Sequence, residues 1–292
     1  MERLLIIGCG DIARRAIPEL RKRYRLSALV RPSAEPNPLA AEKGQIISGD
    51  LDFPESLTRL AGAADRLVHL APPEESGACD LRTRQLLAAL GETRAMLPRR
   101  FVYMSTSGVY GDCGGAWVDE DRPVHPETER AARRADAERA IAEWGGVHGI
   151  EIVILRAPGI YAAGRLPLDR LKRGTPVLCT EDDVYTNHIH ADDLAAILVA
   201  AVERPGVAGT YNASDDTELK MGDWFDLVAD RFGLERPRRV ARAQAAGQIP
   251  PALLSFMRES RRLVNRRMKE RLGITLAYPT VFEGMTRLAA AA

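Results

Sequence analysis

Leu4-Leu5-Ile6-Ile7-Gly8-Cys9-Gly10-Asp11-Ile12-Ala13 lies near the start of the chain, and the reading of everything after it depends on this stretch. Four consecutive apolar residues suit a strand buried on both faces of a parallel sheet. Gly8-x-Gly10-x-x-Ala13 follows directly. Ile12, Ala13, Ala16, Ile17 and Leu20 then recur at helical spacing. Strand, glycine turn and helix in that order form the context of a dinucleotide-binding turn. Gly8 permits the tight turn, Gly10 lets a pyrophosphate approach the backbone, and Ala13 allows close helix–strand packing. The helix start at Asp11 and Ile12 presents unpaired N–H groups and partial positive charge to phosphates. The competing reading is a tight strand-to-helix turn that holds no ligand.

The 292 residues are 46% hydrophobic and 28% charged, an ordinary globular balance that allows one large domain or one and a half. A formal net charge of +1 provides no global field to recruit nucleic acid or an anionic membrane. No secretory leader and no membrane-length apolar run is visible, so a cytoplasmic location is expected. Cys9, Cys79, Cys113 and Cys179 form no CxxC pair and read as thiols in a reducing compartment. The histidines show no metal-ligand spacing, and no metal site is expected.

Further along, Leu26 to Val30 reads as a second strand ending at Arg31. An acidic residue there would hold a ribose 2′-hydroxyl, whereas an arginine suits a 2′-phosphate. Arg31 therefore favours NADP(H), with NAD(H) as the alternative. Pro32 to Lys43 is a Pro/Ala-rich connection, and Gln45 to Leu51 a short strand and turn. Asp50 could accept from the adenine amino group and Leu51 could cover the ring; otherwise Asp50 is a turn aspartate. Arg66 to Leu70 is a fourth strand, and Leu70, Ala71 and Pro72 would form a tight wall against the nicotinamide ribose. A helix is predicted over Cys79 to Thr93, with apolar Leu86, Leu87 and Leu90. Arg100 to Met104 is a fifth strand that runs into Ser105-Thr106-Ser107-Gly108-Val109-Tyr110-Gly111, placing hydroxyl groups where open α/β sheets bind ligands. Glu127 to Trp144 is a charged helix and Glu151 to Leu155 a sixth strand. Beyond it the alternation weakens into short strands, including Thr186 to His190, and short helices.

Three segments carry a family resemblance. They are Phe101-Val102-Tyr103-Met104-Ser105-Thr106-Ser107-Gly108-Val109-Tyr110-Gly111, Leu155-Arg156-Ala157-Pro158-Gly159-Ile160-Tyr161, and His188-Ile189-His190-Ala191-Asp192-Asp193-Leu194-Ala195. With the opening turn, they make nearly the whole chain resemble an atypical, extended short-chain dehydrogenase/reductase of the NAD-dependent epimerase/dehydratase kind. The resemblance implies an α/β Rossmann-type fold, doubly wound, with a mostly parallel sheet. It also implies a dinucleotide-binding domain over residues 1–160 and a smaller C-terminal substrate region over 161–292, intertwined with the last sheet strands. A homodimer through the helices at 79–93 and 127–144 follows by the same analogy.

The family's catalytic set is a Ser or Thr, a Tyr, and a Lys four residues after the Tyr. By resemblance the hydroxyl is Thr106. Counting back from Ala137-Glu138 puts Arg134 where the Lys is expected and Arg130 where the Tyr is expected. Arginine stays protonated near neutral pH, so Arg130 cannot shuttle protons as a tyrosine would. Arg134 could still contact ribose hydroxyls. Tyr110 and Tyr161, both after strand ends, and His188, which would titrate near neutrality, remain as proton-handling or substrate-contacting groups. The competing reading of each tyrosine is a wall residue whose hydroxyl finds a partner, and of His188 a satisfied strand histidine. Two readings follow. One is an NADP(H)-dependent oxidoreductase or epimerase acting on a small carbonyl or sugar-like substrate with a non-standard catalytic set. The other is a catalytically silent NADP(H)-binding sensor or partner-binding protein.

Overall fold

The computed structural model describes residues 1–32, 44–91 and 96–290. Most of the Pro/Ala-rich connection and the far end of the helix expected to reach Thr93 lie outside the described residues.

The opening segment forms β1 (Glu2–Ile7), and α1 (Asp11–Leu20) follows it after the glycine turn. Next in the chain come β2 (Tyr24–Val30), β3 (Gln45–Ser48), β4 (Arg66–His69), α2 (Leu81–Gly91), β5 (Arg100–Thr106) and α3 (Glu129–His148). The later main elements are β6 (Glu151–Ala157), α4 (Ala191–Glu203), β7 (Gly209–Asn212) and α5 (Met221–Arg231). Among the described residues the main sheet has the order β7-β6-β5-β4-β1-β2-β3, and every pairing in it is parallel. The strand order reverses between β1 and β4, and ligands of doubly wound sheets bind outside the strand ends at such a switch. The Rossmann-type expectation holds.

The apolar run of β1 is continuous because both faces are covered. Leu4 and Ile6 pack with the buried stripes of α1 and α4, while Leu5 and Ile7 pack with those of α2 and α3. A third core joins Tyr161, Val177, Trp224, Phe225, Val228 and Met285 in the C-terminal part of the chain. That part also supplies β7 to the main sheet, where Tyr211 stands beside Leu155.

Two helices differ from expectation in their limits. The second helix begins at Leu81 rather than Cys79, because Asp80 Oδ1 accepts from the Thr83 N–H at 2.9 Å and caps the turn. The third starts at Glu129, capped by Thr128, and runs on to His148. The helix expected from the sequence ends at Trp144, just before Gly145 and Gly146. A Cβ on Gly145 would come within 2.4 Å of Ile152, so this glycine lets the helix lie close on β6. The helix ends at Gly149, whose φ of 66° supplies the left-handed cap. The strand expected over Thr186 to His190 is two short strands, Tyr185–Thr186 and His188–His190, which pair with different partners.

Candidate active site

Two clefts meet at the carboxyl ends of the sheet strands, with Pro73 lining both. The first, about 640 Å³, is lined by Gly8, Gly10, Arg31, Asp50, Ala71 and Pro72 among others. Gly8 has φ +92°, and a Cβ there would lie 2.5 Å from the Ala71 nitrogen. Its glycine is thus required by the approach of the segment after β4 as well as by the turn. Gly10 is the N-cap of α1, which has no side-chain cap, and a Cβ on it would meet nothing within 4 Å. The helix terminus therefore presents uncapped N–H groups beside open space, as phosphate binding requires. These residues fit the pyrophosphate of a dinucleotide.

The remaining cofactor-site expectations divide. Leu51 lines this cleft. Ile12 is buried in the core and Leu70 packs against it, so neither side chain lines the cleft. Asp11 holds Arg15 and Arg165, each at 2.9 Å. Asp50 Oδ1 accepts from the Asp52 N–H at 3.1 Å, the turn role weighed against adenine contact. Arg14 was missed. It lies one helical turn after Gly10 and lines the cleft with Arg31, and i,i+4 spacing from the glycine would have found it. Arg82 also lines the cleft and grips Asp52 with two bonds of 2.6 Å.

The second cleft, about 840 Å³, brings Thr106, Arg134, Tyr161 and His188 together, with Arg130 beside them. Thr106 Oγ1 accepts from the Gly108 N–H at 3.2 Å, and its hydroxyl donates to no acceptor among the described residues. Tyr110 is not brought there. The helical turn over Ser107–Tyr110 directs it inward, where its hydroxyl donates to Asn212 Oδ1 at 2.8 Å. The Arg156 guanidinium covers its ring at 4.7 Å, and burial pushes its hydroxyl pKa up. The Tyr161 hydroxyl donates to the Thr280 carbonyl at 3.4 Å, and burial raises its pKa well above the ordinary tyrosine value.

His188 is buried against Trp224, ring centroids 4.5 Å apart. Burial pushes its pKa down to about 3, so it is neutral at pH 7 and does not titrate near neutrality as its residue type suggests.

Arg134 Nη1 donates to the Tyr103 hydroxyl and the Met104 carbonyl, each at 3.0 Å, and to the Ala71 carbonyl at 3.5 Å. It thereby spans the ends of β4 and β5, between the two clefts. One turn earlier, Arg130 donates to Ser255 Oγ at 3.0 Å and lies 3.7 Å over the Phe256 ring. Glu138, used to set the register, is buried in a pair with Arg156 at 2.7 Å and also accepts from Ser105.

The model of the NAD dependent epimerase/dehydratase family matches residues 4–214, most of the chain and both clefts' strand ends. The chain belongs to the NAD-dependent epimerase/dehydratase family. Its fold is similar over its whole length to a conserved protein of unknown function from Silicibacter pomeroyi. The TM-score is 0.81 and the identity 29%, covering 100% of this chain and 99% of that one. It is 26% identical over 267 residues to Protein BRI1-5 ENHANCED 1 of Arabidopsis thaliana, covering 77% of this chain and 73% of that protein. It is also 26% identical over 209 residues to a dTDP-glucose 4,6-dehydratase of Streptomyces antibioticus, covering 64% of this chain and 61% of the dehydratase. The epimerase/dehydratase family is one of NAD-dependent enzymes, so the expectation that leaned toward an enzyme stands at that level. Among the described residues no helix is long and apolar enough to cross a membrane.

Proposed function

We propose that this chain is an NADP(H)-dependent oxidoreductase or epimerase acting on a small carbonyl or sugar-like substrate. Residues 1–160 would hold the dinucleotide and 161–292 would shape the substrate cleft. One observation carries the reading: an uncapped helix terminus beside open space at Gly10, in a cleft that also holds Arg14 and Arg31. Gly8, Gly10 and the start of α1 would take the pyrophosphate. Arg31, with Arg14 near it, would take a 2′-phosphate, since a guanidinium offers a planar donor fork to phosphate oxygens. Ala71 and Pro72 would wall the site, and Arg134 would reach ribose hydroxyls. The bound dinucleotide supplies a hydride donor or acceptor. Thr106 would orient the substrate oxygen with its uncommitted hydroxyl. Tyr161 and the neutral His188 would line the substrate cleft. With Tyr110 bonded inside the fold and the Tyr161 hydroxyl on the Thr280 carbonyl, ordered water would supply the proton.

Fluorescence titration of wild type and Arg31→Asp with NADPH and NADH tests the cofactor reading. Loss of a charge-assisted contact should weaken NADPH by roughly 10-fold or more, while NADH changes little. Equal effects on both would remove Arg31 from the site. A second reading, a silent dinucleotide-binding protein, is favoured by Arg130 and Arg134 at the Tyr and Lys positions. A panel of carbonyl compounds that never oxidises NADPH would select it.

A further inference from the structure

The second cleft is lined by six arginines and two carboxylates, Asp169 and Glu259, in a chain whose formal net charge is only +1. Two of those arginines have their charge met. Arg165 pairs with Asp11 at 2.9 Å, and Arg261 with Glu259 at 3.0 Å. Arg130, Arg134, Arg170 and Arg173 form no ion pair among the described residues.

Arg130 and Arg134 are the informative pair. They share a face of α3, four residues apart. Among the described residues only one nitrogen of Arg130 has a hydrogen-bond partner, the neutral Ser255 hydroxyl, while Phe256 covers its guanidinium plane. Burial lowers the pKa of Arg130, as expected for a cation taken partly out of water. Arg134 is anchored through Nη1 alone. A guanidinium has five N–H donors, so Nε and Nη2 keep three that meet no acceptor among the described residues. A partly desolvated cation without an anion is unfavourable. The buried Arg156, by contrast, has its charge met by Glu138 at 2.7 Å. An anion arriving with the ligand would complete the site, and it would arrive next to the Thr106 hydroxyl.

We propose that this cleft takes a hydroxy or oxo acid whose carboxylate adjoins the reacting carbon and is held between Arg130 and Arg134. The inference rests on the reading that oxidation or reduction takes place beside Thr106. It makes Arg130, at the Tyr position, a substrate-recognition residue, and has Arg134 contact the carboxylate as well as ribose hydroxyls. A planar carboxylate matches the guanidinium fork and can be attached directly to the carbon that changes oxidation state.

Calorimetric titration of the full chain with oxalate, its neutral isostere oxamide, and inorganic phosphate tests this. Oxalate should bind about 10-fold or more tighter than oxamide, the difference a charge-assisted contact makes, and tighter than phosphate. Arg130→Gln should weaken oxalate by a similar factor, and Arg130→Lys should recover part of it by keeping the charge. Arg139→Gln, on the exposed side of the same helix, should leave the titration unchanged. Equal binding of oxalate and oxamide, phosphate binding as tight as oxalate, or an unaffected Arg130→Gln would each overturn the proposal. A parallel NADPH titration separates the two readings. Oxalate binding without NADPH binding removes the cofactor reading and keeps the anion site; NADPH binding without oxalate binding does the reverse.

Discussion

Gly8 and Gly10 stand two residues apart in one turn and do different work. At Gly8 a methyl group would lie 2.5 Å from the Ala71 nitrogen and 2.8 Å from its Cα, on a backbone with φ +92°. Neither neighbour is a flexible side chain, so the turn or the end of β4 must shift. Gly8→Ala should therefore destabilise the fold by about 2–4 kcal/mol, combining left-handed backbone strain with overpacking. At Gly10 the backbone is extended and the added methyl meets nothing. Gly10→Ala should change stability by no more than about 1 kcal/mol, the scale of an altered N-cap. The methyl would occupy the space proposed for phosphate, so the same variant should lose most dinucleotide affinity. Urea melts and NADPH titrations on both variants check the contrast. If Gly10→Ala binds NADPH like wild type, the open space is not the phosphate site.

Helix α3 carries both the candidate site and a structural tie, at successive turns of one face. Arg130 and Arg134 line the second cleft, while Glu138 reaches under β5 and β6 to Arg156 and Ser105. Removing one member of a buried pair leaves the other charge uncompensated and costs about 3–5 kcal/mol. Glu138→Leu should show that loss in denaturant melts, and adding Arg156→Met should restore much of it. A double variant no more stable than the single would mean that the pair positions α3 through its geometry. How much of this was legible follows from the range of each interaction. The strand, glycine turn and first helix were readable because their pattern is local and their core is two-sided. Arg130 and Arg134 were placed from one dipeptide, Ala137-Glu138. Their surroundings were not readable, since Arg130 rests on Ser255 and Phe256, more than 120 residues away. Tyr110 was expected in the cleft because strand ends lie there. A short helical turn reversed it toward Asn212, and only the fold brings that residue near. His188 looked titratable by residue type, and its burial against Trp224 depends on packing that no local pattern encodes.

At the scale of the molecule, buried groups pull the pH dependence of stability in opposite directions, His69, His188 and Asp215 with large shifts among them. His69, bonded to Thr83 at the end of β4, and His188 are both pushed down to about 3 by burial, from an ordinary 6.5. The unfolded chain thus binds two more protons than the folded one between those values, and stability is lost as pH falls below about 6.5. Asp215, whose N–H donates to the His188 carbonyl at 2.8 Å, is pushed up to about 8 by burial, from 3.8. Its folded form holds a proton that the unfolded form has released, so its contribution is present at low pH and is lost as pH rises toward 8. Asp80, Asp183 and Asp193 are raised by burial and act in the same sense as Asp215. For His69, His188 and Asp215 taken alone, unfolding takes up one net proton below about pH 6.5 and releases one above it. Stability should therefore rise by about 1.4 kcal/mol per pH unit on the acid side, fall at about the same rate on the alkaline side, and peak near pH 6.5. Asp215→Asn, which imitates the protonated acid, should flatten the alkaline limb and steepen the acid limb toward two protons. Urea melts from pH 5 to 8 at fixed ionic strength measure both slopes. A wild-type curve already flat above pH 6.5 would mean that Asp215 is ionised in the fold, with a donor meeting the carboxylate oxygen that has no hydrogen-bond partner among the described residues.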